Sequence, residues 1–212
     1  MCGRVTLTTP DLDTVAALLG ARVAPKHARS YRPRYNAAPT DAHWVVEPGS
    51  QGPALVPAVW GFEGGVINAR AETWERRFRK GRPVIVPADG FFEWTGAKGA
   101  RRPLWFRPRA GGLLQLAGLA ALLPDGRLAF VVLTTEASGE VARIHDRMPV
   151  LLSRENARAW IEHGDSGLLV PAPDDFLVAT EVSLRANDVR NDDPAVLQPA
   201  AGEDPPRQLA LF

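Results

Sequence analysis

Residues 113–134 read LLQLAGLAALLPDGRLAFVVLT, two apolar runs joined by Pro124-Asp125-Gly126-Arg127. Pro followed by Asp-Gly between runs of this length is strand–turn–strand chemistry, because Gly supplies the positive φ that a tight hairpin requires. Working outward, further β-type runs appear at 83–87, 91–94, 104–106, 45–46, 56–60 and 177–184. Helical signals are fewer. Thr9-Pro10, residues 11–19 and Gly20 read as a capped helix with Thr9 as the N-cap. Residues 153–162 followed by Gly164 read as a second helix, and 72–78 and 140–144 as short ones. Residues 21–40, rich in Pro and Arg, read as an extended loop ending at Tyr35-Asn36-Ala37-Ala38-Pro39. Many short strands without a βαβ rhythm predict an α+β fold, a single compact domain. Its mixed or antiparallel sheets would curl into a barrel-like core with peripheral helices. The domain is expected over 1–197, with 198–212 as a flexible tail.

The chain has 212 residues, 45% apolar and 23% charged, the balance of an ordinary globular domain. No apolar run approaches the ~20 residues needed to span a bilayer, and no secretory signal is expected. One cysteine excludes an internal disulfide and fits a reducing, cytoplasmic setting. With four scattered histidines it offers no zinc-type spacing, so no metal and no cofactor is expected. The net charge is +1, but residues 1–110 carry 17 Lys/Arg against 9 Asp/Glu, and residues 111–212 carry 8 against 15. Of the basic residues 22 are Arg, the type suited to phosphate and base contact, which makes nucleic acid a candidate partner for the N-terminal half. Arg-rich genomic composition explains the Arg excess equally well.

Cys2 becomes the N-terminus if Met1 is trimmed. An N-terminal cysteine carries an amine and a thiol on adjacent carbons, both with reactive fractions near neutral pH. Together they can take an aldehyde through a Schiff base to a five-membered thiazolidine; alone, the residue reads equally as a small buried cysteine. Gly90-Phe91-Phe92-Glu93-Trp94 sets a carboxylate in an apolar run, where burial would raise its pKa towards the range useful for acid–base chemistry. A strand with Glu93 facing water is the plainer alternative. His145-Asp146-Arg147 and Asn68-Ala69-Arg70 each place two polar groups on one face of an extended segment.

Met1-Cys2-Gly3-Arg4, Arg34-Tyr35-Asn36-Ala37-Ala38-Pro39, Trp60-Gly61-Phe62, Asn68-Ala69-Arg70-Ala71-Glu72-Thr73, Gly90 to Trp94 and His145-Asp146-Arg147-Met148-Pro149 occur in this order. In that order they resemble the SRAP (SOS response-associated peptidase) family, the abasic-site-processing proteins that shield damaged single-stranded DNA. The resemblance runs from residue 1 to about Asn191. It implies that Cys2 is the nucleophile and crosslinking residue after loss of Met1, by the protein's own autopeptidase activity or otherwise. It further implies that Asn68 orients the amine and the sugar, that Glu93 is the general acid–base, and that His145 protonates the opened sugar oxygen. By the same resemblance Arg4, Arg70 and Arg147 hold phosphates, while Pro39 and Trp94 pack against neighbouring nucleotides. The implied partner is single-stranded DNA bearing abasic sites, bound by a monomer with no membrane contact; a lyase-type activity is also implied. The sequence departs from the family between Trp60 and Asn68, where a Trp-bearing stretch that wedges against bases is shortened or missing and Phe62 is left to the core.

Gln208-Leu209-Ala210-Leu211-Phe212 resembles the bacterial sliding-clamp-binding pentapeptide, and a terminal apolar segment docked on its own domain fits it equally. Two other functional classes fit the residues: a cysteine peptidase acting on proteins, and a non-catalytic single-strand-binding module.

Overall fold

The computed structural model describes residues 2–78 and 81–200, the side chains of residues 25 and 26 excepted. In chain order they form β1 (Val5–Leu7), α1 (Leu12–Leu19), β2 (Arg22–Val23), α2 (Pro25–Ala28), β3 (Arg34–Ala37), β4 (Ala42–Glu47), β5 (Ala54–Trp60), β6 (Asn68–Arg70) and α3 (Trp74–Arg77). There follow β7 (Arg82–Ala88), β8 (Gly90–Thr95), β9 (Arg102–Pro108), β10 (Leu114–Leu122), β11 (Leu128–Glu136), α4 (Gly139–Ala142), β12 (Arg147–Pro149), α5 (Arg154–His163) and β13 (Leu177–Glu181).

The hairpin at 124–127 forms as its chemistry predicts. β10 and β11 pair antiparallel from Leu122↔Leu128 to Gly118↔Val132, and Gly126 closes the turn at φ 82°. β10 continues onto β7, β7 onto β4 and β4 onto β5, all antiparallel. β5 then pairs in parallel with β11 through Ala129↔Val59 and Phe130↔Trp60, which closes a five-strand barrel. β2, β6 and β12 extend its margins. A second sheet, in the order β13-β9-β8-β1-β3, is antiparallel throughout. The α+β class and the curled, mixed sheet expected from the sequence are what the chain adopts.

Strand alternation explains the core. Val84, Val86, Leu116, Ala120, Phe130 and Val132 share one buried cluster with Val5, Phe91 and Phe106 of the second sheet. The intervening Ile85, Ala117, Leu119, Val131 and Leu133 share another with Leu12 and Val15 of α1 and Trp160 and Ile161 of α5. Both faces of the barrel strands are covered, so the runs read as continuous rather than alternating apolar sequence. Burying one such Leu, Ile or Phe side chain contributes about 1.5–3 kcal/mol.

Several expected boundaries move. The N-cap of α1 is Asp11, not Thr9: the Asp11 carboxylate accepts the Thr14 N–H at 2.7 Å, while the Thr9 carbonyl takes the Tyr31 hydroxyl. Residues 21–40 are not simply a loop, because Arg34–Ala37 pairs with β1. The helix expected over 72–78 shrinks to Trp74–Arg77, since Thr73 makes no side-chain cap bond. α5 starts after Ser153, which caps Asn156 N–H, and ends at Gly164 in the left-handed region, as its sequence signals predict. The strand read at 177–184 stops at Glu181 and turns into a 3-10 segment at Leu184–Asn187. Residues 198–199 are tied to the domain by Ser183 N–H on the Gln198 carbonyl at 2.9 Å and a Val182–Pro199 bridge. The clamp-like peptide at 208–212 lies outside the described residues.

Candidate active site

Cys2 enters the site ahead of β1 and is fully buried. Its backbone carbonyl accepts a hydrogen bond from Asn68 Nδ2 at 2.8 Å, and its Sγ lies 3.7 Å from the Arg4 carbonyl. Asn68 is placed by the parallel pairing of β6 with β11, Asn68 opposite Val132. Its second polar atom, Oδ1, is buried and has no hydrogen-bond partner among the described residues.

Glu93 comes from β8. The antiparallel register Val5↔Phe91 and Thr6↔Gly90, extended by Phe92 N–H on the Arg4 carbonyl at 3.0 Å, sets Glu93 beside the first residues of the chain. Gly90 makes this approach possible: a Cβ there would lie 2.1 Å from Trp105 Nε1. Glu93 is only 5% exposed. Burial raises its pKa, and the positive charge at the amino terminus and His145 act in the opposite direction. Burial also pushes the Cys2 thiol far up, and the neighbouring Glu93 carboxylate adds to this. Cys2, Glu93 and His145 therefore share one electrostatic environment.

His145 follows α4, with its N–H on the Val141 carbonyl at 2.9 Å. Its Nδ1 lies 2.9 Å from the Arg147 backbone N–H and 2.8 Å from Asp146 Oδ1. Both contacts fall on the same ring nitrogen and fix the orientation of the imidazole. With Nδ1 accepting the Arg147 N–H, the ring proton sits on Nε2.

The arginines differ in their freedom. Arg70 is exposed and stands two residues from Asn68, on the same face of β6. Arg4 sets its guanidinium 5.4 Å above the Trp94 ring. Its Nη1 donates to Asn36 Oδ1 at 2.8 Å and to the Ala186 carbonyl at 2.9 Å. Trp94 Nε1 donates in turn to Asn187 Oδ1 at 2.7 Å. Arg147 is the most occupied: Nη1 and Nη2 grip Glu72 at 2.7 and 2.9 Å, and Nη2 also reaches the Thr134 carbonyl. Pro39 is half-buried at a turn closed by Asp41 N–H on the Ala38 carbonyl at 3.1 Å.

Sequence reading overlooked Asn36, Glu72 and Asn187. Asn36 is wholly buried and its Nδ2 donates to the carbonyls of Ala186, Asp188 and Asn191. Asn36 lies in the family motif Arg34–Pro39, but no role was assigned to it there. Trp60 is buried, stacks on Phe130 at 5.8 Å and donates from Nε1 to the Ile67 carbonyl. Phe62 packs on Phe78 at 5.9 Å, and Phe62 N–H bonds the Val66 carbonyl across a tight turn at Gly64-Gly65. Phe62 and Val66 are partly buried against the core, while Glu63, Gly64 and Gly65 between them are exposed. Among the described residues no group of three or more His, Cys, Asp or Glu is arranged to hold a metal ion.

A family model, SOS response associated peptidase (SRAP), matches residues 1–189. The chain belongs to this family. Several relatives of this SRAP protein are named abasic site processing proteins. YoqW of Bacillus subtilis is 29% identical over 225 residues, 93% of this chain and 99% of that protein. YedK of Escherichia coli is 30% identical over 149 residues, 63% of this chain and 67% of that protein. Among solved structures, a phage-related protein from Bordetella bronchiseptica superposes with a TM-score of 0.68 at 29% identity, covering 85% of this chain and 94% of that one. A protein from Bacteroides thetaiotaomicron superposes at 0.79 with 19% identity, covering 94% of this chain and 100% of that one, a likeness of fold.

Proposed function

We propose that this SRAP protein captures abasic sites in single-stranded DNA by a covalent bond to Cys2, exposed as the N-terminus by loss of Met1, and so shields the lesion during replication and the SOS response. The observation that carries the reading is the meeting of Cys2 with Asn68, Glu93 and His145 at the chain's start, in a family whose named relatives process abasic sites.

The chemistry proceeds in balanced steps. The abasic sugar is a closed hemiacetal in equilibrium with its aldehyde. Glu93 takes the proton from the anomeric hydroxyl, and His145 gives one from Nε2 to the ring oxygen as it opens. The Cys2 amine adds to the aldehyde carbon, and the carbinolamine loses water, with Glu93 as the acid, to leave an iminium ion. The Cys2 sulfur then adds to the C=N carbon as the thiol proton passes to the Glu93 carboxylate that the dehydration left, closing a neutral thiazolidine. The net change is aldehyde plus aminothiol giving thiazolidine and one water. The order follows from the thiol's suppressed ionisation: the amine is the stronger nucleophile at first encounter, and the thiol adds once the electrophile is held beside it. Asn68 fixes the Cys2 backbone and offers Oδ1 to the amine or the sugar. Arg70, Arg4 and Arg147 hold flanking phosphates, and Trp94 and Pro39 meet neighbouring nucleotides, contacts that position a strand without reading its sequence.

An oligonucleotide with one abasic site, incubated with the full chain and then denatured, tests this. A heat-stable shifted band that disappears in Cys2→Ala is expected, with Cys2→Ser giving a labile adduct because it keeps the amine but forms no stable ring. Reversible binding without a band would leave a single-strand-binding module, and peptide turnover without a band a peptidase. Intact mass reports whether Met1 is gone, and a Cys2→Ala chain that retains it would support self-removal. Strand scission at the lesion would mark the lyase-type activity. Clamp binding through Gln208, Leu209, Leu211 and Phe212 is tested by pull-down before and after deletion of 208–212.

A further inference from the structure

We infer that Glu72 is a phosphate stand-in, which occupies Arg147 in the unbound protein and exchanges places with a DNA phosphate when the strand arrives. The inference rests on the DNA-binding reading above and adds to it a residue that sets affinity.

A guanidinium has five N–H groups, and those on Nη1 and Nη2 form the fork that grips a carboxylate or phosphate. In Arg147 that fork is taken by Glu72 at 2.7 and 2.9 Å. The Thr134 carbonyl takes a further Nη2 hydrogen, and Nε is buried without a partner. One Nη1 hydrogen is left, too little for a two-point phosphate contact. The Arg147 side chain is 12% exposed and fixed, whereas that of Glu72 is 53% exposed. Of the two partners the carboxylate is the one free to leave. Arg147 and Arg70 both stabilise the Glu72 carboxylate, with the Arg147 hydrogen bonds the largest cause. One acidic group thus faces two of the arginines assigned to phosphates.

The structure also provides somewhere for Glu72 to go. A cavity of about 590 Å³ opens beside it, lined also by Thr73, Thr135, Ser166, Arg76 and the like-charged Glu75. Released from Arg147, the carboxylate can turn into this space, where Thr73 and Ser166 offer donors and Arg76 a counter-charge. Arg147 meanwhile stays anchored on Thr134, and its backbone N–H stays on His145 Nδ1. Phosphate exchange therefore proceeds without disturbing the ring that handles protons.

The test is equilibrium binding of an undamaged single-stranded oligonucleotide to the full chain over a range of salt. Glu72→Gln is expected to bind several-fold tighter than wild type, with a salt slope steeper by about 0.7, the value for one more phosphate contact on a single strand. Glu75→Gln removes an equal charge from the same cavity without touching Arg147 and is expected to bind as wild type does. In the Arg147→Ala background Glu72→Gln is expected to bring no gain. Unchanged or weaker binding by Glu72→Gln, the same gain in Glu75→Gln, or a gain that survives Arg147→Ala would each overturn the inference. Absence of binding by every variant would overturn the DNA reading with it. Wild-type binding without a Glu72 effect would overturn the inference alone.

Discussion

On Glu93 two forces oppose each other: burial favours the neutral acid, while the amino-terminal charge and His145 favour the carboxylate. Burial prevails, so the folded pKa lies above the usual carboxylate value. The acid form is present below that raised pKa and is lost as pH climbs through it. If the proposed crosslinking needs the acid for water loss, its rate is expected to fall on the alkaline side. Glu93→Gln is expected to slow adduct formation by at least about 10²-fold, the scale of general acid–base catalysis, and to remove that limb from the pH–rate profile. A profile unchanged in Glu93→Gln would assign the limb to another group. Asn68→Ala acts differently, because it frees the Cys2 carbonyl without altering any charge. Single-turnover crosslinking at saturating DNA should slow on the order of 10-fold, the cost of a misplaced nucleophile, while affinity for undamaged strand stays as it was. The sequence named Asn68, Glu93 and His145 by type and neighbours, but it was silent on which arginines are engaged. Arg4 meets Asn36 across 32 residues and Arg147 meets Glu72 across 75, and no local pattern encodes such partners.

Among the elements, β8 does the most to assemble the site, and Gly90 governs whether it can. Its close approach to Trp105 leaves no room for a methyl group, and Trp105 Nε1 also donates to Thr6 Oγ1 at 3.1 Å. Gly90→Ala is expected to destabilise the protein by about 1–3 kcal/mol, the cost of overpacking a tight core, read as a lower urea midpoint at unchanged m-value. At concentrations where the variant remains folded, crosslinking should fall too, because β8 carries Glu93. The barrel strands were legible because both faces are buried and apolar runs of that length have few alternative readings. β3 was not, since Arg34-Tyr35-Asn36-Ala37 has little apolar character. Its pairing depends on β1 and on Asp192, whose carboxylate accepts the N–H groups of Tyr35 and Asn36 at 2.7 and 2.9 Å. α3 is shorter than the 72–78 read from the sequence: it runs from Trp74 to Arg77, and Thr73 before it makes no side-chain cap bond.

For the molecule as a whole, the barrel's acid tolerance turns on His43, which the sequence left unremarked. It is 2% exposed, and its Nε2 bonds the Pro87 carbonyl at 2.8 Å. Burial lowers its pKa to about 4; the Pro87 carbonyl, Asp89 and Asp41 act upwards and Arg34 downwards. The unfolded chain, with an ordinary imidazole near 6.5, binds a proton that the folded chain refuses throughout the interval between the two values. Stability from this residue is complete above about pH 6.5 and drains away as pH falls towards 4. A shift of this size corresponds to about 3 kcal/mol. Asp192 titrates in a lower window: burial would raise it, but the N–H of Tyr35 and the Arg34 charge outweigh burial and hold it below the usual Asp range. Glu93 runs against both, since a raised carboxyl adds stability as pH falls. Urea midpoints measured from pH 7 to 4 should therefore decline in the wild type. His43→Gln, which keeps a donor for Pro87 and cannot titrate, should be less stable at pH 7 and nearly flat across that interval. A wild-type slope retained in His43→Gln would move the acid sensitivity from the barrel interior to the carboxylates of the second sheet.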